Sequence, residues 1–97
     1  HLLNDAATWN IPIVLGEIAN KQDDNAGNCS LNVDVAAVMQ AAHNNQIGYL
    51  AWVWTNDNCA ARQMTSNGNF NTLTSYGNTI VNSSNYGIKF AKKSKCW

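Results

Sequence analysis

The chain has 97 residues, a formal net charge of +0, 45% hydrophobic residues and only 12% charged ones, which bounds it at one small domain. Its basic residues gather only in the tail, at Lys89, Lys92, Lys93 and Lys95, so the electrostatic footprint of a nucleic-acid binder is missing and the tail reads as a solvated C-terminus. No apolar stretch approaches the roughly 20 residues of a membrane helix, so no membrane partner is expected.

The chain opens on His1 with neither an initiator methionine nor a signal-peptide pattern, which predicts that a segment has been removed upstream. Residues 2–9 read as the end of a preceding helix. Residues 11–15 are β-branched and continuously apolar, with Pro12 near their start, where a strand tolerates a missing donor; they predict a buried parallel strand. Residues 21–30 are polar and turn-rich. An alanine-rich helix is predicted over 33–44, with Asn32 as N-cap and Asp34 in the first turn. The stretch IGYLAWVW, residues 47–54, is too apolar and aromatic for a one-sided antiparallel strand and predicts a second buried strand. After a polar loop over 55–72, Leu73, Tyr76, Gly77, Ile80 and Val81 recur at the spacing of one helical face.

Alternating βα units with buried strands imply a parallel sheet covered by helices, an α/β class. Size then limits the architecture. A closed eight-fold βα barrel takes about 250 residues, so two strands and their helices amount to roughly its last third. Two parallel strands alone leave sheet edges and apolar faces uncovered. The chain, residues 1–97, is therefore expected to be incomplete by itself.

The loops after the C-terminal ends of parallel strands carry function in such folds. Alternation predicts Ile13, Leu15 and Glu17 on one side of the first strand, and Leu50, Trp52 and Trp54 on one side of the second. Glu17 and Trp54 would then face one cleft, with Gly16 allowing other groups to approach. An acid beside an indole suits a sugar: the carboxylate attacks an anomeric carbon or steadies the charge developing on the ring, while the apolar sugar face stacks on the aromatic one.

These residues resemble a known family. PIVLGEIA, then GYLAWVWTNDN, then LTSYGNTIVNSSNYGI look like the C-terminal third of a glycoside hydrolase family 5 enzyme, the secreted (β/α)8 endo-β-1,4-mannanases and cellulases. The resemblance runs from about Leu2 to Ile88. It implies a TIM barrel of which this chain supplies strands 7 and 8 with their helices, and a retaining glycosidase needing no cofactor. The nucleophile at the end of the seventh strand maps onto Glu17. The tryptophan lining the subsite of the sugar under attack maps onto Trp54. The chain departs from the family in having Ile18 and Ala19 where an aromatic residue and a glycine often follow the glutamate. Retaining hydrolysis also needs a second carboxyl group roughly 5 Å from the first, and the family places that acid/base glutamate on its fourth strand, outside this sequence. The implied partners are a β-1,4-linked polysaccharide, mannan before glucan, and the rest of the barrel. The implied location is extracellular.

The remaining candidates are read as follows. Asn56, Asp57 and Asn58 come just after Trp54 and could bind sugar hydroxyls or form the turn, with Arg62 a weaker binding candidate. The three cysteines, Cys29, Cys59 and Cys96, lack the close spacing of a zinc site. Cys29 and Cys59 fall in loops after neighbouring strands, where a disulfide is geometrically reasonable, leaving Cys96 to pair outside the chain. Asp23, Asp24 and Asn25 resemble part of a calcium loop, but Gly27 is misplaced and no glutamate closes it, so they are read as turn residues. His43 complements a helix C-terminus. Asn28-Cys29-Ser30 and Asn82-Ser83-Ser84 fit the N-glycan acceptor pattern, which arises often by chance in Asn-rich sequence. Two other classes stand beside the enzyme: a noncatalytic carbohydrate-binding module using Trp52, Trp54 and Trp97, and a structural fragment that docks on a partner. Buried parallel strands argue against the module, since such modules are usually antiparallel sandwiches.

Overall fold

A computed structural model describes residues 2–84 and 86–91. A short helix α1 (Leu2–Ala7) leads to strand β1 (Val14–Ile18), then to a small hairpin of β2 (Lys21–Gln22) and β3 (Leu31–Asn32). Helix α2 (Val35–Asn44), strand β4 (Gly48–Ala51) and helix α3 (Ser75–Asn82) follow, with single 3₁₀ turns at Ala60–Arg62, Phe70–Thr72 and Ile88–Phe90.

Strands β1 and β4 pair in parallel, with Val14 opposite Gly48, Leu15 opposite Tyr49 and Ile18 opposite Ala51. The crossover between them is α2, as a parallel connection requires. Its N-cap is Asp34, whose carboxylate accepts from Ala37 N at 3.1 Å. The expected cap, Asn32, is instead in β3, because Lys21 and Asn32 pair across the hairpin and hold the chain extended up to the helix. Within the expected loop over 21–30, Asp24 builds the turn: it accepts from Ala26 N, Asn28 N and Ser30 Oγ. Those bonds, led by the one from Ser30, hold its carboxyl below the ordinary range.

Helix α3 is capped by Thr74, whose hydroxyl accepts from Gly77 N at 3.0 Å. It buries Tyr76, Gly77, Ile80 and Val81, four of the five positions expected on its apolar face. Gly77 is there for backbone approach. A Cβ at this position would stand 1.9 Å from Met64 O, so no larger residue fits without displacing the 64–74 connection.

The core lies on one side of the parallel pair. Ile18, Val35, Met39, Met64, Tyr76 and Ile80 form one buried cluster, and Leu3, Ala6, Ala42 and Ile47 another; Leu15 and Tyr49 pack against both. The other side is open: Val14 is 64% exposed and Leu50 62%.

The strand limits differ from the sequence expectation in ways that bear on the site. The first strand is Val14–Ile18 rather than 11–15, so Gly16 and Glu17 lie within it. The second is Gly48–Ala51 rather than 47–54. Beyond it the chain turns to new partners: Val53 N donates to Arg62 O, Met64 N to Val53 O and Thr65 N to Trp54 O. A register shift also lies between Leu15 and Ile18, where three steps on β1 match two on β4. This extra residue breaks the expected alternation of Ile13, Leu15 and Glu17, because Leu15 and Ile18 both pack toward the helices.

Candidate functional site

Two strand ends meet beside the bulge. Trp52 N donates to Ile18 O at 2.8 Å, extending the parallel ladder one residue past β4. Beneath both ends sits the Tyr76 hydroxyl, which donates to Trp52 O at 2.5 Å and lies 3.3 Å from Ile18 O. Burial pushes that phenol up to about 12, so it stays a proton donor at any working pH. One side chain of α3 thus fastens together the ends of β1 and β4.

Alternation from the buried Ile18 and the core-facing Ala51 turns Glu17 and Trp52 to the opposite, open side. Glu17 is exposed, and among the described residues its carboxylate forms no hydrogen bond or ion pair. Trp52 is 41% exposed and Trp54 37%. An acid and one indole, Glu17 and Trp52, therefore share the uncovered face near the C-terminal ends of adjacent parallel strands, while Trp54 stands exposed on the loop beyond β4.

Both indoles are held. Trp54 Nε1 donates to Gly68 O at 2.8 Å, and its ring lies 6.1 Å from that of Phe70 at an interplanar angle of 32°. Gly68 has φ +88, a conformation that suits glycine and presents its carbonyl there. Trp52 Nε1 donates to Asp57 Oδ2 at 2.9 Å. The same carboxylate takes Nε and Nη2 of Arg62, whose Nη1 reaches Asp23 Oδ1 at 3.3 Å. Asp57 N donates to Gln63 Oε1 at 3.1 Å. Arg62 first, and the Trp52 indole second, hold the Asp57 carboxyl far below the ordinary carboxylate range.

Among the other expected positions, Asn56 is exposed on the loop, with φ 61. The disulfide between Cys29 and Cys59 is formed, with Cα atoms 6.0 Å apart, and joins the hairpin after β1 to the loop after β4. Cys96 and Trp97 lie outside the described residues. His43, in the last turn of α2, meets the Tyr86 ring edge-on at 5.0 Å. Arg62 is engaged with two carboxylates rather than pointing free toward solvent. Sequence reasoning missed the Tyr76 hydroxyl and the tether on Trp52. Neither leaves a periodic signal, since positions 52, 57 and 62 fall on no common helix or strand spacing.

The site is an open surface. A cavity of about 370 Å³ opens among Asn20, Val35, Ala61 and Thr79, and one of about 410 Å³ among Ala6, Asn10, Pro12 and Gln46; neither includes Glu17, Trp52 or Trp54.

The chain is similar to two enzymes named mannan endo-1,4-beta-mannosidase. That of Cellvibrio japonicus is 33% identical over 84 residues, and that of Streptomyces lividans 34% identical over 77, covering 84% and 77% of this chain. The chain spans 18% of the length of each. No protein-family model matches, and no solved structure gives a significant match.

Proposed function

We propose that this chain is the seventh and eighth βα units of a secreted (β/α)8 retaining glycoside hydrolase that cleaves internal β-1,4 bonds of mannan. The observation that carries this reading is the similarity to two mannan endo-1,4-beta-mannosidases over most of the chain. Two features of the fold support it. Glu17 and Trp52 stand on adjacent parallel strands at the ends where such barrels place their chemistry. The apolar face that holds them is uncovered, whereas parallel sheets are almost always covered on both faces. The occupant of that face is the rest of the barrel, which also brings the acid/base carboxyl. The Cys29–Cys59 disulfide supports an extracellular location.

In this mechanism the exposed Glu17 carboxylate attacks the anomeric carbon from one face of the sugar while the second carboxylic acid protonates the departing oxygen. A glycosyl ester forms on Glu17. Water then attacks the anomeric carbon, its proton goes to the second carboxylate, and Glu17 leaves as the free carboxylate. Trp52 and Trp54 offer apolar faces to pyranose rings, and Asn56 offers its amide to hydroxyls. The Tyr76 hydroxyl holds the spacing of the two strand ends and touches no substrate.

The test is hydrolysis of β-1,4-mannan, with cellulose as the competing substrate, by the full-length protein and its Glu17→Gln variant. Mannan is expected to be cleaved, and the variant to lose about a thousandfold or more in turnover while still binding mannan oligosaccharides. Retained turnover would remove Glu17 from the chemistry. Preference for cellulose would move the assignment to an endo-β-1,4-glucanase.

A further inference from the structure

Asp57 neighbours the proposed sugar surface, yet its polar atoms are turned elsewhere. Oδ2 accepts from the Trp52 indole and from Arg62 Nε, and Oδ1 accepts from Arg62 Nη2 at 3.3 Å. An ionised carboxylate offers about four acceptor positions, so three of them are occupied within the protein. The side chain is only 8% exposed, which leaves little of it for a sugar hydroxyl.

Arg62 is itself held from both sides. Its guanidinium bridges Asp57, in the loop after β4, to Asp23, which follows β2. The Cys29–Cys59 bond ties the same two segments together. The result is a chain of contacts, Asp23 to Arg62 to Asp57 to Trp52, that ends on an indole N–H. Charge-assisted hydrogen bonds are roughly twice as strong as neutral ones. An indole can be swung about its χ angles, and one such bond at its polar edge fixes which way the apolar face looks.

We propose that Asp57 is a positioning residue: it acts through Trp52, setting the plane of that indole on the sugar-binding face, and does not touch the sugar itself. The catalytic side of this role rests on the reading of the Glu17 face as a mannan site. The hold on the indole does not.

The experiment uses the full-length protein with its tryptophan side chains labelled with ¹⁵N. Hydrogen exchange of the Trp52 indole N–H is followed in the unmutated protein and in Asp57→Asn and Asp57→Leu. The Trp54 indole, bonded to Gly68 O, is the internal control. Asp57→Leu is expected to speed Trp52 exchange by about tenfold or more and to leave Trp54 unchanged. Asp57→Asn keeps an acceptor and is expected to fall between, which gives a reading even if the leucine variant does not fold. Equal acceleration at both indoles, or none at Trp52, overturns the proposal.

Kinetics on mannan oligosaccharides then test the route. Asp57→Asn is expected to lower kcat/KM by about tenfold alone and to add nothing in a Trp52→Phe background. Losses that multiply in the double variant would mean that Asp57 acts on the substrate directly, and they overturn the positioning role. If the unmutated protein hydrolyses no mannan, the sugar-site reading fails and the catalytic role fails with it. The exchange comparison still decides whether Asp57 holds the indole.

Discussion

On the helix side of the β1–β4 pair, Ile18 is 7% exposed, Met39 1% and Ile80 0%; on the other side Val14 keeps 64% of its surface and Leu50 62%. Apart from Glu17 the residue types hardly differ, and both strands present apolar side chains on both faces. An antiparallel sheet with one wet face would show polar residues there. The difference teaches that this chain covers one face of the pair, through α2 and α3, and leaves apolar side chains of the other in the open, where the proposed function puts the rest of a barrel. The site follows the same division. Tyr76, which ties the two strand ends together, belongs to the covered side, whereas Glu17 and Trp52 stand on the open one.

The comparison breaks most sharply under paired truncations. Ile80→Ala removes a fully buried side chain and is expected to cost about 4 kcal/mol. Leu50→Ala decides what lies over the other face. In the full-length protein it is expected to cost about 3 kcal/mol, as a buried leucine would. A cost within about 0.5 kcal/mol, the range of surface substitutions, would mean that the face stays in water, and the barrel reading would be lost. Urea unfolding measures both.

An effect between those two is expected from the covalent tie across the strand ends. Cys29 and Cys59 are separated by 30 residues, and a loop of that size costs the unfolded chain about 3.5 kcal/mol in the chain-entropy treatment. Replacing both by serine is expected to lower stability by that order. Because the bond joins the segments carrying Asp23 and Arg62, the same change is expected to weaken the hold on Trp52 more than that on Trp54. Fluorescence quenching by iodide, with each tryptophan in turn replaced by phenylalanine, reads the two separately; equal change at both would detach the disulfide from the tether.

Gly77 probes how tightly the covered side is built. Gly77→Ala is expected to cost about 3 kcal/mol despite alanine's better helix propensity, because the new methyl meets the Met64 carbonyl. A gain in stability would show that α3 can retreat from the 64–74 connection.

What could be read from the sequence divides along physical lines. Helix α3 was legible because apolar positions at helical spacing identify a buried stripe whatever covers it, and Ile80 and Val81 are both buried. The parallel pair was legible from two continuous apolar runs. The phase of β1 was not, since the bulge between Leu15 and Ile18 depends on which residues of β4 lie opposite. The β2–β3 hairpin was missed because it has only two residues on each side and its turn is organised by Asp24, not by a two-residue Asn-Gly or Asp-Gly loop. Glu17 stands out in the sequence as a lone carboxylate in an apolar run, and its role rests on the proposed function. The part played by Asp57 could not be read there, because an aspartate after an aromatic strand looks alike whether its oxygens meet sugar, water or Arg62.

The smallest expected effect concerns pH, and it bears on the two carboxylates that organise the loops. Asp57 is depressed chiefly by the hydrogen bond from Arg62 and next by that from the Trp52 indole; Asp24 is depressed chiefly by the Ser30 hydroxyl and next by the Asn28 backbone amide. A carboxyl whose folded value lies below its ordinary 3.8 favours the folded state above that pH. The contribution is therefore fully present from neutrality down to mild acid, and is lost only as pH falls below 3.8 toward the depressed folded values. Carboxyl ¹³C shifts are expected to stay flat for both residues from pH 7 to about 4. The Trp52 indole signal is expected to move with Asp57 and not with Asp24, because only Asp57 bonds to it. If Asp57 instead titrated at its ordinary value, the Arg62 and indole contacts would be too weak to orient the ring, and the open face would lack the rigid aromatic surface that distinguishes it from mere exposed hydrophobic area.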